Sequence, residues 1–315
     1  MDRASLTEEI RASLRGEGLS LAGTCSAVVA PVHVGALGRW LQGGLHGPLA
    51  YMARHAAERA DPRLLEPWVR GLWVVALLYN TRRDLSAHAI SSGKAWVSRY
   101  AWGRDYHKVL GARLRPACKV LRDAGFKARV CVDTAPLLER HFAWKAGLGF
   151  IGKNGMLIHP DFGSYLFLGA ILTDMELEDG TSLPDGCGDC TLCLKGCPTR
   201  ALVAPGVLDA ARCLSTWTIE HRGSFPEGTP PLHGHLFGCD RCQEVCPCNR
   251  QPPLSTEADF QPRGDWFAPF PESVGAMTQE AWDAATQGSA VRRASYDGLL
   301  RNARRILEER DTCKA

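Results

Sequence analysis

Eight of the 13 cysteines lie between Cys187 and Cys246, and their spacing is that of a thiolate cage for iron. The first four stand as Cys187-x2-Cys190-x2-Cys193-x3-Cys197, with Pro198 next. Three closely spaced thiolates can curl round one face of a cubane cluster, while the cysteine before proline leaves in another direction. The other four are split: Cys213 stands alone, then Cys239, Cys242 and Cys246 follow, again with a proline, Pro247, after the last. Where two clusters share one module, the cysteine before proline ligates the other cluster. Cys187, Cys190, Cys193 and Cys246 are therefore assigned to one 4Fe–4S cluster, and Cys197, Cys213, Cys239 and Cys242 to a second. Zinc fits this pattern less well, since zinc sites pair two short knuckles and close at four ligands. Disulfides would require an oxidising compartment.

The chain around this cage has 315 residues, enough for two or three domains with a sizeable core. Its 45% hydrophobic and 23% charged content is that of an ordinary globular protein. A net charge of +3 does not argue for a nucleic-acid partner, although a local basic patch stays open. The first ten residues show no apolar leader and no twin arginine. The most apolar run, Trp73 to Leu78, is far too short to span a bilayer. A cytoplasmic protein is expected, with Cys25, Cys118, Cys131, Cys248 and Cys313 as plain thiols.

The elements that must position any chemistry read as follows. Leu6, Ile10 and Leu14 predict a helix over 5–17. A first strand is expected from Cys25 to Val32, then a helix through Leu37 to Leu45, and over 47–67 a short helix and a turn. The continuous apolar run Gly71 to Tyr79 predicts a strand buried on both faces. A helix from Asp105 to Ala124 leads to a strand from Phe126 to Val132, a helix over 135–146, and strands at Met156–His159 and Tyr165–Leu172. The Pro- and Gly-rich piece from Gly223 to Gly234 reads as a loop, and helices close the chain. The expected class is α+β. An N-terminal α/β domain with a mixed sheet covers 1–180, a ferredoxin-like two-cluster module 181–255, and a short helical C-terminus 256–315.

Two glycine motifs mislead. Gly147-Leu-Gly149-Phe-Ile-Gly152 matches the dinucleotide fingerprint, but here a helix precedes it and no helix follows. The same stretch nearly makes a P-loop with Lys153, yet Asn154 lacks the hydroxyl that would meet magnesium. A helix C-cap with a tight loop explains the glycines, and the loop's backbone N–H groups and lysine could still meet an anionic group or an amide.

Five stretches carry a family resemblance. They are Arg99-Tyr-Ala-Trp-Gly-Arg-Asp105-Tyr-His107, Val132-Asp133-Thr-Ala-Pro-Leu-Leu-Glu139-Arg140, Lys145-Ala-Gly-Leu-Gly-Phe-Ile-Gly-Lys153-Asn, Arg212-Cys213-Leu-Ser215-Thr-Trp-Thr-Ile-Glu220-His-Arg222-Gly, and Gly238-Cys-Asp-Arg-Cys-Gln-Glu-Val-Cys246-Pro. Through them nearly the whole chain resembles the epoxyqueuosine reductases, cobalamin-dependent iron–sulfur enzymes of tRNA modification. Cys248 departs from the tryptophan usual in the family, and the helical-repeat tail of longer members is absent. The resemblance implies removal of the epoxide oxygen of epoxyqueuosine at the tRNA wobble position, giving queuosine, the last step of queuosine biosynthesis. It implies cobalamin in the N-terminal domain, and two 4Fe–4S clusters fed by an outside one-electron donor of flavodoxin or ferredoxin type. A monomer without membrane attachment is expected. The common corrinoid signature Asp-x-His-x-x-Gly begins at Asp105 and His107 but has Leu110 where glycine should stand, and the family likewise binds cobalamin without that histidine ligand.

Individual residues carry two readings each. From the residues alone, Asp133 reads as an N-cap for the helix over 135–146 or as an acid at the C-terminal end of a strand, where α/β sites form. The resemblance makes it the proton donor, in contact with cobalamin. His107 and Arg140 read as surface residues, or through the resemblance as neighbours of the substrate. Arg59, Lys153, Ser215 and Asp240 are the further expected cobalamin contacts. Arg292, Arg293, Arg301, Arg304 and Arg305, in a stretch with only Asp297 for acid until Glu308, form a solvated face or a phosphate-contacting one. All but Arg304, together with Arg222, are taken as tRNA contacts. A reductive dehalogenase and a ferredoxin-type electron carrier are the alternative functions; the large α/β portion counts against a simple carrier.

Overall fold

The computed structural model describes residues 2–19, 21–82 and 84–312, so Cys313 lies outside the described residues. The chain divides into two compact units whose segments interleave. Residues 1–44, 51–78 and 106–189 make the first, and 45–50, 79–105 and 190–315 the second.

The first unit opens with helix α1 (Arg3–Gly16), which buries Leu6, Ile10 and Leu14 on one face. Asp2 caps it by accepting from the N–H groups of Ala4 and Ser5. Strands β1 (Leu21–Ser26), β2 (Gly71–Leu78), β3 (Ala128–Cys131) and β4 (Leu166–Thr173) form one sheet in the order β1-β2-β4-β3. The apolar runs of β2 and β4 take the two central places, where both faces are covered, while β1 and β3 form the edges.

Every neighbouring pair in this sheet is antiparallel, which corrects the expected mixed sheet. Alternating helices and strands imply parallel crossovers only when each connection returns along the sheet, and connections as long as residues 27–70 can re-enter from either end. The first strand also ends sooner than expected, at Ser26, and Pro31 opens a helix running to Gln42. Proline suits a first helical turn, where its missing N–H costs nothing.

Helix α2 (Tyr106–Asp123) packs on β4. Gly169 permits the close approach, because a Cβ there would come within 2.9 Å of the side chains of Leu110 and Leu114. Helix α3 (Glu139–Lys145) starts later than the expected position 135. Pro136 disfavours helical backbone at Ala135, so residues 133–138 remain a turn. The run from Gly147 is the exit of α3, as the C-cap reading requires. Gly147 is left-handed at φ +79°, its N–H bonds the Trp144 carbonyl at 3.0 Å, and the Leu148 N–H bonds the Ala143 carbonyl at 2.9 Å.

The second unit is built on Trp96, Trp102, Leu236 and Phe237, all fully buried, under the C-terminal helix α4 (Tyr296–Thr312). Its short strands Trp96–Val97 and His235–Phe237 pair in parallel. Asn302 of α4 is buried and donates to the carbonyls of Thr218 and Leu236, both at 2.9 Å, so the helix enters the core with its amide satisfied. The cysteine-bearing helices Leu192–Gly196 and Arg241–Glu244 pack together in this unit. Among the described residues no helix is long and apolar enough to cross a membrane.

Candidate functional site

In the first unit the fold gathers His107, Asp133, Glu139, Arg140 and Arg59. The ring of Tyr106 stacks on Phe167 of β4 at 4.3 Å between centroids and sets the start of α2. His107, next in sequence, places Nε2 3.1 Å from Oδ2 of Asp133. Asp133 follows β3 at φ +56°, in the left-handed region. The Val132 carbonyl accepts from the Thr134 N–H at 2.6 Å, closing a three-residue turn with Asp133 at its centre. Its side chain is 57% exposed, which leaves the carboxyl open to a bound molecule.

Glu139, in the first turn of α3, takes the Asp133 N–H at 2.6 Å. Burial first, and the nearby Asp133 second, push the Glu139 carboxyl up to about 7. Arg140 donates to the Gly155 carbonyl at 3.0 Å, tying the glycine loop to α3. Arg59 is held by the carbonyls of Tyr51 and His55, and it lies close enough to feel Glu139 and Asp133. Burial lowers its guanidinium below the usual range, and those two acids oppose the shift.

Asp133 does not cap α3. The residue before that helix is Leu138, with no capping side chain, and Asp133 stands six positions before Glu139.

Lys153 lies on the glycine loop. Its N–H donates to Sγ of Cys187 at 3.4 Å and its ammonium to the Gly188 carbonyl, so it faces the first of the cage cysteines. The other seven fall in the second unit. Cys193 and Cys246 are buried, at 8% exposure each. Burial and the neighbouring Cys213, Asp240, Cys197 and Cys193 push the Cys242 thiol upward, and burial with Cys242 and Cys213 does the same to Cys239. Burial thus disfavours the thiolates of Cys239 and Cys242, and a bound cation that takes up their charge removes that penalty. The Cys197 sulfur meets the Ala201 N–H at 3.2 Å, and Ser215 and Thr216 lie close enough to Cys213 to oppose the rise that burial gives its thiol. This donor set fits an iron–sulfur cluster.

Ser215 and Asp240 are in the second unit, Ser215 beside Cys213. Asp240 is 8% exposed, and its Oδ2 accepts from Trp96 Nε1 at 3.0 Å and the Arg99 N–H at 2.8 Å. Burial pushes it up to about 6.

The five arginines expected to meet tRNA share this unit and have partners within it. Arg222 bonds the carbonyls of Ile219, Glu220, His221 and Arg293. Arg292 pairs with Asp283 at 2.6 Å, Arg293 with Glu220 at 2.8 Å, and Arg305 with Glu309 at 3.0 Å. Arg301 donates to the carbonyls of Trp217, His221 and Gly223 and lies 4.2 Å over the ring of Phe225. Burial, and Arg222 beside it, pull Arg301 down to about 10.

Glu139 and Tyr106 do not stand out in the sequence as functional residues. Nothing in spacing distinguishes an acid that reaches back to a turn from one that faces solvent.

Residues 59–134 match the family model described as Epoxyqueuosine reductase QueG, DUF1730, and residues 186–249 match that of the 4Fe-4S double cluster binding domain. A curated epoxyqueuosine reductase of Gloeobacter violaceus is 43% identical over 279 residues, 86% of this chain and 86% of the relative. Among solved structures, an epoxyqueuosine reductase with an epoxyqueuosine-modified tRNA-Tyr stem loop superposes with a TM-score of 0.87 at 28% identity, over 97% of this chain and 82% of that one. The Bacillus subtilis epoxyqueuosine reductase, solved with its catalytic aspartate loop swung out of the active site, gives 0.85 at 27%, with the same coverage.

Proposed function

This chain belongs to the epoxyqueuosine reductase family, and from that premise we propose that it reduces epoxyqueuosine to queuosine at the wobble position of tRNA. The reaction takes two electrons and two protons and releases the epoxide oxygen as water. The observation that carries the reading is the Asp133 turn: an exposed carboxyl at a strand end, 3.1 Å from His107 and anchored through its own N–H by Glu139.

Cobalamin, when bound, supplies a strongly reducing cobalt centre. The residues present suit it: Asp133, Arg59 and Lys153 offer a charged and hydrogen-bonding rim for a large amide-bearing cofactor, with Ser215 and Asp240 as further contacts. Asp133 delivers a proton to the departing oxygen. His107, within hydrogen-bond reach, orients that carboxyl, and Arg140 holds the substrate. Cys187, Cys190, Cys193 and Cys246 hold one 4Fe–4S cluster, and Cys197, Cys213, Cys239 and Cys242 the second. Electrons enter singly from a flavodoxin- or ferredoxin-type donor. The protein acts as a monomer, with residues 1–180, 181–255 and 256–315 dividing cofactor binding, electron transfer and tRNA contact. The related structure with a modified tRNA-Tyr stem loop supports a tRNA substrate.

The test is anaerobic reconstitution with iron and sulfide, turnover with a low-potential one-electron reductant such as reduced methyl viologen, and mass analysis of nucleosides from epoxyqueuosine tRNA. Loss of one oxygen mass that requires added cobalamin is the expected result. Conversion without cobalamin, or none with it, overturns the reading.

A further inference from the structure

The loop that carries Asp133 holds an unusual backbone. A three-residue turn whose central residue has positive φ is the rare, strained kind, and aspartate tolerates it better than most residues without being free of the cost. Asp133 occupies that position at φ +56°, with the Val132 carbonyl and the Thr134 N–H closing the turn at 2.6 Å. Such a geometry persists only where its surroundings over-determine it.

One side chain supplies that hold. Oε1 of Glu139 accepts the Asp133 N–H at 2.6 Å, a short bond of the kind a carboxylate makes with a backbone donor. Glu139 is itself fixed, because it stands on α3, whose Phe142 and Ala143 are buried at 1% and 0% exposure. On the other side of the turn, His107 meets the Asp133 carboxyl from α2. Asp133 is thus gripped twice, through its backbone by Glu139 and through its side chain by His107.

We infer that Glu139 is a positioning residue: its carboxylate locks the Asp133 peptide into the left-handed turn and so aims the Asp133 carboxyl. The inference rests on the reading of Asp133 as the acid, but the clamp has a signature of its own. Without it the turn relaxes toward ordinary φ, the Asp133 N–H opens to water, and the carboxyl swings away from His107. Substrate binding elsewhere on the protein is untouched, so the defect belongs to kcat and not to KM.

The experiment uses the full-length, cluster-loaded chain as wild type, Glu139→Ala, Glu139→Gln and Asp133→Asn. Iron content and the cluster absorption spectrum establish folding. Hydrogen–deuterium exchange at the Asp133 amide, read by fragmentation mass spectrometry without cobalamin or substrate, reports the clamp directly. Turnover of epoxyqueuosine tRNA reports its consequence. In Glu139→Ala the Asp133 amide should exchange at least about tenfold faster, and kcat should fall about 10²-fold at unchanged KM. Glu139→Gln keeps an oxygen to accept the same N–H, so it should restore slow exchange and most of kcat. Unchanged exchange in Glu139→Ala, or fast exchange with kcat intact, overturns the inference. Full turnover in Asp133→Asn removes the acid instead; the clamp is then judged on exchange, where acceleration in Glu139→Ala supports it and no change overturns it.

Discussion

Nε2 of His107 and Oδ2 of Asp133 lie 3.1 Å apart, joining the first turn of α2 to the turn after β3. Asp133 is neither the cap of α3 nor a core residue, and its carboxyl is more than half exposed.

Asp133→Asn separates proton donation from orientation. Asparagine keeps the shape and an oxygen for His107 but cannot give a carboxylic proton. The variant should fold, load its clusters and bind cobalamin, yet lose about 10²–10⁴-fold in turnover, the usual worth of general acid catalysis. Cobalt reduction, followed by its absorption spectrum in the same sample, should survive. Wild-type turnover would remove the assignment.

The cysteine assignment is open to a count and a potential. Reconstituted protein should hold about eight irons per chain, and Cys213→Ala should lose about half of them. Ser215→Ala should keep the full iron content but lower the reduction potential of one cluster, because the polar hydroxyl beside the Cys213 sulfur is gone. An anaerobic redox titration followed by electron paramagnetic resonance reads the shift. An unmoved potential would mean that the hydroxyl does not tune the cluster.

The basic C-terminal region divides into braces and candidate phosphate contacts. Arg301 satisfies three carbonyls around the buried π-helical turn Thr216–Glu220, so Arg301→Ala should destabilise the protein by about 2–3 kcal/mol in urea unfolding. Charge reversal of Arg305, whose ion pair is with Glu309, should leave folding nearly intact, whereas Arg292 also bonds Thr286 and lies over the Trp282 ring. The Arg305 reversal should weaken tRNA binding and flatten its salt dependence. An unaltered salt slope would return this face to solvent.

Glu139 also predicts a pH dependence of stability. Its carboxyl is raised to about 7 from an ordinary 4.5, so between those values the folded chain binds more protons than the unfolded one. Its contribution therefore falls as pH rises through that window and is lost above about 7. Glu139→Gln carries no such titration and should gain on wild type by on the order of 2 kcal/mol at pH 8 relative to pH 4.5. Urea midpoints at the two pH values give the comparison, and parallel pH trends would refute it.

The 4Fe–4S binding stretch, α1 and the central strands β2 and β4 could be read from the chain because each rests on short-range rules. Ligand spacing is covalent, a helix face repeats every three or four residues, and a strand covered on both sides is apolar throughout. The antiparallel sheet could not be read, since strand direction depends on where a long connection re-enters. The five arginines looked available because sequence shows charge but not partner, and packing gave each a carbonyl or a carboxylate. Asp133 shows the division within one residue. Its type and its place after an apolar strand marked it as a candidate, while its left-handed turn, the reach of Glu139 and the approach of His107 came from packing α2 and α3 against one sheet. Those contacts join residues 6 and 26 positions away, and no local pattern encodes them.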